Sequence, residues 1–165
     1  MTPMRISFVG GGSDLKEFYV PNNGGAVISA AINKYMYIII NKYHDKNKCF
    51  LKYSKTEVVD NVKNIKHPLI RGCLIKSKLW GLDINSVADI PAGTGLGSSS
   101  SFTVGLINAL QLYKGKSLSK KKLANKACEI EIDLLKQPIG KQDQFAAAYG
   151  NFNLIKFQPN GDTFV

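Results

Sequence analysis

Short apolar runs separated by glycine-rich or lysine-rich breaks dominate the first half of the chain. Most of them are rich in β-branched and aromatic residues, a composition typical of strands bounded by turns. The pattern predicts strands at 6–9, 26–31, 35–40, 49–53 and 84–90. Apolar residues at helical spacing predict a helix over 68–78, between the last two strands.

Helical periodicity takes over in the second half. Apolar residues on one face predict a helix over 98–113. Ser119 is suited to cap a second helix, which ends before Pro138. A third helix over 145–149 and a strand over 151–157 complete the predicted elements. Strands first and helices mostly later predict an α+β fold.

The segment Pro159-Asn-Gly-Asp162 is a hairpin-turn signal close to the end of the chain. Only Thr163, Phe164 and Val165 follow it. Because a strand this short is hard to justify alone, we expect the native polypeptide to continue. On this expectation the sequence is the N-terminal part of something longer.

The net charge of +10 comes almost entirely from lysine, since only Arg5 and Arg71 among the 22 basic residues are arginines. A solvated lysine-rich surface and attraction to an anion such as ATP, a sugar phosphate or nucleic acid both remain open. The lysines are dispersed, so we expect no nucleic-acid partner. Apolar runs are too short for a membrane span or the core of a signal peptide. Three cysteines without metal-ligand spacing favour a reducing cytoplasm.

The segment Pro91-Ala-Gly-Thr-Gly-Leu-Gly-Ser-Ser-Ser-Ser101 joins a predicted strand to a predicted helix. Alternate glycines let the backbone approach a ligand closely, and a helix N-terminus offers free N–H groups to an anion. A Walker A loop fails because no lysine lies between Asp89 and Tyr113, and a dinucleotide fingerprint fails because the loop comes late in the chain. A phosphate-binding loop and a flexible, serine-capped connector remain. The framing by Ile90-Pro91 and an apolar helix favours the first.

Two acids downstream stand out. On a helical wheel of about 100° per residue, Glu131 lies in the middle of an apolar stripe, while Glu129 and Asp133 point the opposite way. A buried carboxylate needs a partner because desolvating its charge is costly, and an ion pair and a metal ligand both remain open. Asp143 follows a Pro/Gly-interrupted turn, and a helix cap and a functional acid are both compatible with it.

The start of the chain carries a further group of candidate residues. Arg5 precedes the first predicted strand, and in a lysine-rich chain an arginine suggests planar, bidentate contacts. A triple glycine followed by Ser13 and Asp14 ends that strand. The glycines fit either a tight turn or the close approach of a ligand.

Together these segments resemble motifs of the GHMP kinases, the superfamily of galactokinase, homoserine kinase, mevalonate kinase and phosphomevalonate kinase. Pro91 to Ser99 is similar to the family loop Pro-x-x-x-Gly-Leu-Gly/Ser-Ser-Ser. Thr2-Pro-Met-Arg-Ile-Ser-Phe-Val-Gly-Gly-Gly-Ser-Asp14 resembles the first family motif, and Pro138 to Gln144 resembles Pro-x-Gly-x-x-Asp-Gln of the sugar kinases. Within the superfamily, the motifs look most like those of D-glycero-D-manno-heptose 7-phosphate kinases, with L-fucose kinases as the nearest alternative.

The resemblance implies a kinase that uses ATP and Mg²⁺ to phosphorylate the anomeric hydroxyl of heptose 7-phosphate, giving the 1,7-bisphosphate. It also implies roles by position. These are Asp143 and Arg5 in catalysis; Gly93, Gly95, Leu96, Gly97, Ser98, Ser99 and Ser100 on the ATP phosphates; Ser98 and Glu131 on Mg²⁺; and Gly11, Gly12, Ser13, Asp14 and Lys141 on the sugar.

For the fold, the resemblance implies an α+β domain like domain 2 of ribosomal protein S5. Residues 1–165 would be the N-terminal ATP-binding domain, with the ferredoxin-like C-terminal domain absent and the fragment inactive alone or nearly so. The non-enzyme alternative is a nucleotide- or nucleic-acid-binding module. Such a module would need no catalytic base, which is the role that the resemblance implies for Asp143.

Overall fold

The β-branched and aromatic runs form one mixed sheet in the computed structural model, which describes residues 1–165. Its strands are β1 Thr2–Val9, β2 Gly25–Lys42, β3 Cys49–Lys52, β4 Thr56–Val59, β5 Leu82–Ala88, β6 Phe152–Phe157 and β7 Thr163–Phe164. The order is β4-β3-β5-β2-β6-β7, with β1 also paired to β2. The β3–β5 pair is parallel and every other pair is antiparallel.

The strands predicted at 26–31 and 35–40 are one continuous strand, β2, of 18 residues. The polar residues Asn33 and Lys34 fall at a shift in register, because Met4 pairs with Ile32 while Pro3 pairs with Tyr35. An irregularity of this kind absorbs extra residues without ending the strand. The sequence-based prediction of two strands was therefore wrong in number but right in type.

The helices are α1 Lys16–Tyr19, α2 Pro68–Ser77, α3 Ser98–Tyr113, α4 Lys120–Cys128 and α5 Gln142–Tyr149, with a 3₁₀ turn at Val62–Asn64. The helices predicted at 68–78 and 98–113 are confirmed. The helix that Ser119 caps is α-helical only to Cys128 and continues as a π-helix over Glu129–Leu134. The elements α1, β4 and the 3₁₀ turn were not predicted, since four or fewer residues carry little periodicity.

The core lies between the sheet and the helices in two clusters. The larger one packs α2 and α3 against β3 and β5, around side chains such as Leu51, Ile84 and Leu106. The smaller one packs α4 and α5 against β2 and β6, around Phe145 and Phe157. The predicted α+β class is confirmed, and residues 159–162 form the predicted turn between β6 and β7.

The three cysteines are buried and unbonded to one another. Burial raises the pKa of the Cys128 thiol to about 12, so this thiol is unreactive at neutral pH. None of the helices has the length and apolar character needed to cross a bilayer.

Candidate functional site

The glycine-rich segment 91–97 leaves β5 and leads directly into α3. Gly93, Gly95 and Gly97 have φ values of 86°, 73° and 73°. This left-handed conformation costs other residues roughly 1–2 kcal/mol each. Gly97 is the N-cap of α3 and offers no side-chain cap. The first N–H groups of α3 are therefore not bonded to a capping side chain and are free to bind an anion.

A cavity of about 820 Å³, the large cavity, opens in front of this loop. Five of the predicted phosphate-binding residues line it: Gly93, Gly95, Gly97, Ser98 and Ser99. The other two lie behind the loop. The Leu96 carbonyl accepts a hydrogen bond from Arg5 N at 3.0 Å, and Ser100 Oγ donates to Glu131 Oε2 at 2.8 Å. The Leu96 bond ties the loop to β1.

Three aromatic rings line another part of the large cavity. The centroids of Tyr53 and His67 are 4.7 Å apart with the rings edge to face, and those of His67 and Phe102 are 5.1 Å apart. Rings arranged in this way present a surface suited to another planar ring. The sequence alone does not single out any of the three rings as a binding residue, because they come from separate elements and share no motif.

Arg5 and Asp143 form an ion pair at the edge of the loop. The Nε and Nη2 atoms of Arg5 lie 2.6 and 2.5 Å from Asp143 Oδ1, and Nη1 donates to the Gly95 carbonyl at 2.8 Å. Asp143 Oδ2 makes no hydrogen bond within the chain and faces Gly97. Burial raises the pKa of the Asp143 carboxyl, while the Arg5 guanidinium opposes that shift. Asp143 is in the first turn of α5 and caps no helix.

A second cavity of about 240 Å³, the small cavity, lies on the other side of Asp143. Gly12 and Asp14 line it, together with residues of the loop before α5. Asp143 is the single residue that lines both the large and the small cavity. This carboxylate therefore stands between the large cavity, which the glycine-rich loop lines, and the small cavity, which Asp14 lines.

Asp14 is 3% exposed, and both its oxygens are bonded to Gln142. The backbone N of Gln142 lies 3.0 Å from Asp14 Oδ2, and the side-chain Nε2 of Gln142 lies 3.2 Å from Asp14 Oδ1. Gln142 Oε1 accepts a hydrogen bond from Ser7 Oγ at 2.8 Å. A side chain at Gly140 would overlap the Asp14 carboxylate. Sequence reasoning missed Ser7 and Gln142 as site residues, although Gln142 lies within the segment that resembles the sugar-kinase motif.

The glycine turn after β1 contributes less to the small cavity than expected. Gly12, with a φ of 87°, lines it, but Gly11 and Ser13 do not. The Ser13 hydroxyl donates to the Gly10 carbonyl at 2.6 Å and accepts from Ala26 N at 3.1 Å. Ser13 therefore closes the turn against β2, and a sugar-binding role for Gly11 and Ser13 remains a prediction.

Glu131 faces inward as the helical wheel predicts, with no solvent exposure, whereas Glu129 is half-exposed and pairs with Lys76 at 2.5 Å. The partners of Glu131 are neutral. Thr103 Oγ1 donates to Oε1 at 2.5 Å, and Ser100 and Gln144 donate to Oε2. Burial raises the pKa of Glu131 despite these bonds. No ion pair forms at Glu131.

The two predicted metal ligands, Ser98 and Glu131, differ in their surroundings. Ser98 lines the large cavity, while Glu131 lies behind it. No group of three or more His, Cys, Asp or Glu side chains in the chain could hold a metal ion by itself. A role for Glu131 on Mg²⁺ therefore remains a prediction.

Lys141 lies beside the small cavity without lining it. Its Nζ donates to the Gly161 carbonyl at 2.7 Å and lies 5.6 Å from the centroid of the Tyr19 ring. It lines instead a third cavity of about 450 Å³, together with Lys16 and Asp133. A sugar-binding role for Lys141 remains a prediction.

The family model for the GHMP kinases N terminal domain matches residues 62–151. The D-glycero-alpha-D-manno-heptose 7-phosphate kinase of Campylobacter jejuni is 30% identical over 96% of this chain and 50% of its own length. The galactokinase of Pyrococcus furiosus is 27% identical over 94% of this chain and 45% of its own.

Among solved structures, a D-glycero-D-manno-heptose 1-phosphate kinase from Bacteroides thetaiotaomicron superposes with a TM-score of 0.90 at 29% identity. The superposition covers 99% of this chain and 57% of that one. The chain thus spans about half the length of the relatives that it matches.

Proposed function

The chain belongs to the GHMP kinases, and we propose that it binds ATP and transfers the γ-phosphate to the anomeric hydroxyl of D-glycero-D-manno-heptose 7-phosphate. The observation that carries the proposal is the position of Asp143 between the two cavities. A kinase needs a donor site and an acceptor site that meet at one reacting centre, and Asp143 is the only residue common to both linings.

The large cavity offers contacts for both the phosphates and the adenine of ATP. The loop glycines and the N-terminus of α3 would hold the phosphates through backbone N–H groups. The rings of Tyr53, His67 and Phe102 would hold the adenine. The loop carries no lysine of the Walker type, and the Arg5 guanidinium, which is paired with Asp143, lies next to it at the Gly95 carbonyl.

Magnesium would neutralise phosphate charge when bound. In phosphoryl-transfer sites the ion takes one or two protein ligands and completes its shell with phosphate and water, so a cluster of acids is not required. The Ser98 hydroxyl fits such a role, because it lines the large cavity at the start of α3. Glu131 would have to give up its bond from Ser100 to act as a second ligand.

Asp143 would act as the general base. Its Oδ1 is held by Arg5, which leaves Oδ2 to accept the proton of the sugar hydroxyl. The hydroxyl oxygen then bonds to the γ-phosphorus, and the bond to the β–γ bridging oxygen breaks to release ADP. A carboxyl whose pKa is raised by burial is better matched to this proton transfer than an ordinary aspartate.

The sugar would occupy the small cavity, where the buried acid Asp14 and Gln142 lie next to Asp143. The heptose substrate is proposed from the names of the similar heptose kinases, whereas the contacts of this chain support a small polyol more generally. The galactokinase relative makes another sugar the natural competitor.

The proposal is tested with the full-length protein, by ADP formation from ATP·Mg²⁺ with heptose 7-phosphate, L-fucose, galactose and mevalonate as acceptors. We expect turnover with heptose 7-phosphate, and a fall of about 100-fold or more in Asp143→Asn, since general bases contribute at least that much. Asp60→Asn changes an exposed acid outside both cavities and is expected to retain activity. Absence of turnover with every sugar, or full activity of Asp143→Asn, would overturn the proposal. Salt-sensitive nucleic-acid binding without ATP binding would favour the non-enzyme alternative.

A further inference from the structure

Glu57 is a buried acid that belongs to none of the motifs. It is in β4, where Thr56 and Val58 on either side are exposed and Glu57 is only 9% exposed. Its side chain thus occupies the inward position of the strand, where alternation calls for an apolar residue. None of the three ion pairs of the chain includes it.

The Glu57 carboxylate is held by hydrogen bonds from two directions. Tyr53 Oη donates to Oε1 at 2.6 Å, and the backbone N–H of Lys66 donates to Oε2 at 2.9 Å. Burial acts to raise the pKa of Glu57, but these hydrogen bonds, together with the His67 backbone and the Lys66 charge, outweigh it and the pKa is lowered. Glu57 is therefore ionised at neutral pH, and hydrogen bonds to an ionised acceptor are stronger than neutral ones.

The two segments that Glu57 joins carry rings of the large cavity. Tyr53 directly follows β3, and His67 follows Lys66 and caps α2 by accepting a bond from Ile70 N on Nδ1 at 3.4 Å. Both rings line the large cavity, whereas Glu57 lies behind them and does not. Burial, and then the neighbouring Glu57, raise the pKa of Tyr53 to about 12, so its hydroxyl remains a donor.

We propose that Glu57 is a positioning residue that fixes the Tyr53 and His67 rings as a preformed surface for a planar heteroaromatic base. The inference rests on the proposed function, since the base would be that of ATP. Rings that are fixed before the ligand arrives lose little conformational freedom on binding, so affinity rises without any direct contact from Glu57.

The test compares the affinities of Glu57→Gln for ATP and for inorganic tripolyphosphate by calorimetry, using the whole chain. Glutamine offers one acceptor oxygen, which the Lys66 N–H requires, and turns its NH₂ group to Tyr53, so the Tyr53 hydroxyl loses its charged acceptor. We expect ATP to bind about tenfold more weakly, the effect of losing one hydrogen bond to a charged group. Tripolyphosphate has no base and should bind as before.

Three further variants sharpen the comparison. Tyr53→Phe keeps the ring and removes only the hydroxyl, so a smaller selective loss of ATP affinity is expected. Combining it with Glu57→Gln should give less than the sum of the two losses, because both changes break the same contact. Val58→Gln alters an exposed position on the same strand and should change neither affinity.

If Glu57 had a purely structural role, Glu57→Gln would lower thermal stability without changing the ratio of the affinities for ATP and tripolyphosphate. Unchanged ATP affinity in Glu57→Gln, or an equal loss for both ligands, overturns the inference. If Glu57→Gln does not fold, Tyr53→Phe decides it, and an unchanged ratio of the two affinities is the contrary result. Failure of the unsubstituted chain to bind ATP refutes the proposed function and the inference together.

Discussion

Replacing Arg5 by methionine tests how the ion pair at the centre of the site works. Methionine keeps an unbranched side chain of similar reach and removes the charge and all guanidinium donors. The lost contacts are the two nitrogens on Asp143 Oδ1 and the bond to the Gly95 carbonyl. Because the Arg5 and Asp143 side chains are only 12% and 25% exposed, solvent screens their interaction weakly.

The magnitude follows from these contacts. The two nitrogens share one carboxylate oxygen and count as one charged interaction of about 1.5–3 kcal/mol, and the neutral bond to Gly95 adds about 0.5–1.5 kcal/mol. We expect the free energy of unfolding to fall by about 2–4 kcal/mol at neutral pH. The charged part requires an ionised Asp143, whereas the bond to the Gly95 carbonyl does not.

The sign of the pH dependence is determined by the same pair. Arg5 opposes the rise that burial causes in the pKa of Asp143, so the pKa is higher still in Arg5→Met. Arg5 stabilises the ionised form, so the charged part of the difference in stability is fully present above the Asp143 pKa of Arg5→Met. This part is lost as the pH falls from that value through the lower Asp143 pKa of the wild type.

The assay is urea unfolding of both proteins from about pH 4 to about pH 8, followed by the fluorescence of Trp80, the single tryptophan. Arg71→Met is the matched control, because the other arginine of the chain donates to a neutral acceptor, the Ile65 carbonyl, at 2.9 Å. Its effect should not vary with pH in this range. If the Arg5→Met difference is equally flat, or grows on acidification, the assignment of an ionised Asp143 held by Arg5 is wrong.

Three further predictions concern individual positions. Gly140→Ala should displace the buried Asp14 carboxylate and lower the unfolding free energy by about 2 kcal/mol or more in urea titrations; a neutral result would contradict the packing. Because the pKa of Glu131 is raised in the folded state, the wild type without metal should lose stability as the pH rises from the ordinary glutamate pKa through this raised value. Glu131→Gln should not show this loss in urea titrations, and identical pH profiles of the two proteins would contradict the prediction. Ser98→Ala should weaken the Mg²⁺ dependence of ATP binding without changing the free energy of unfolding by more than about 1 kcal/mol, and unchanged Mg²⁺ dependence would remove Ser98 from the metal site.

Local patterns predicted the parts of the fold that depend on spacing along the chain. The periodicity of residues 98–113 and the inward position of Glu131 both follow from helical geometry, which tertiary contacts did not override. The glycine-rich loop was also visible, because positive φ and a following helix leave a compositional trace.

Contacts between distant residues left no such trace. Asp14 and Gln142 are separated by 128 positions, and their bonds depend on how the turn after β1 meets the start of α5. The bulge that makes β2 one strand depends on its pairing with β1. The inward position of Glu57 likewise depends on β4, the strand at the edge of the sheet. This strand has only four residues and is too short to be recognised from its sequence.

The central claim, that the loop before α3 holds the phosphates of ATP, is tested most directly by amide NMR. The ¹⁵N-labelled chain would be titrated with a non-hydrolysable ATP analogue and Mg²⁺, with resonances assigned across the loop. We predict saturable shifts that are largest at Gly95, Gly97, Ser98 and Ser99. Shifts confined to the lysine-rich start of α4, or no saturable shift in the loop, would contradict the claim.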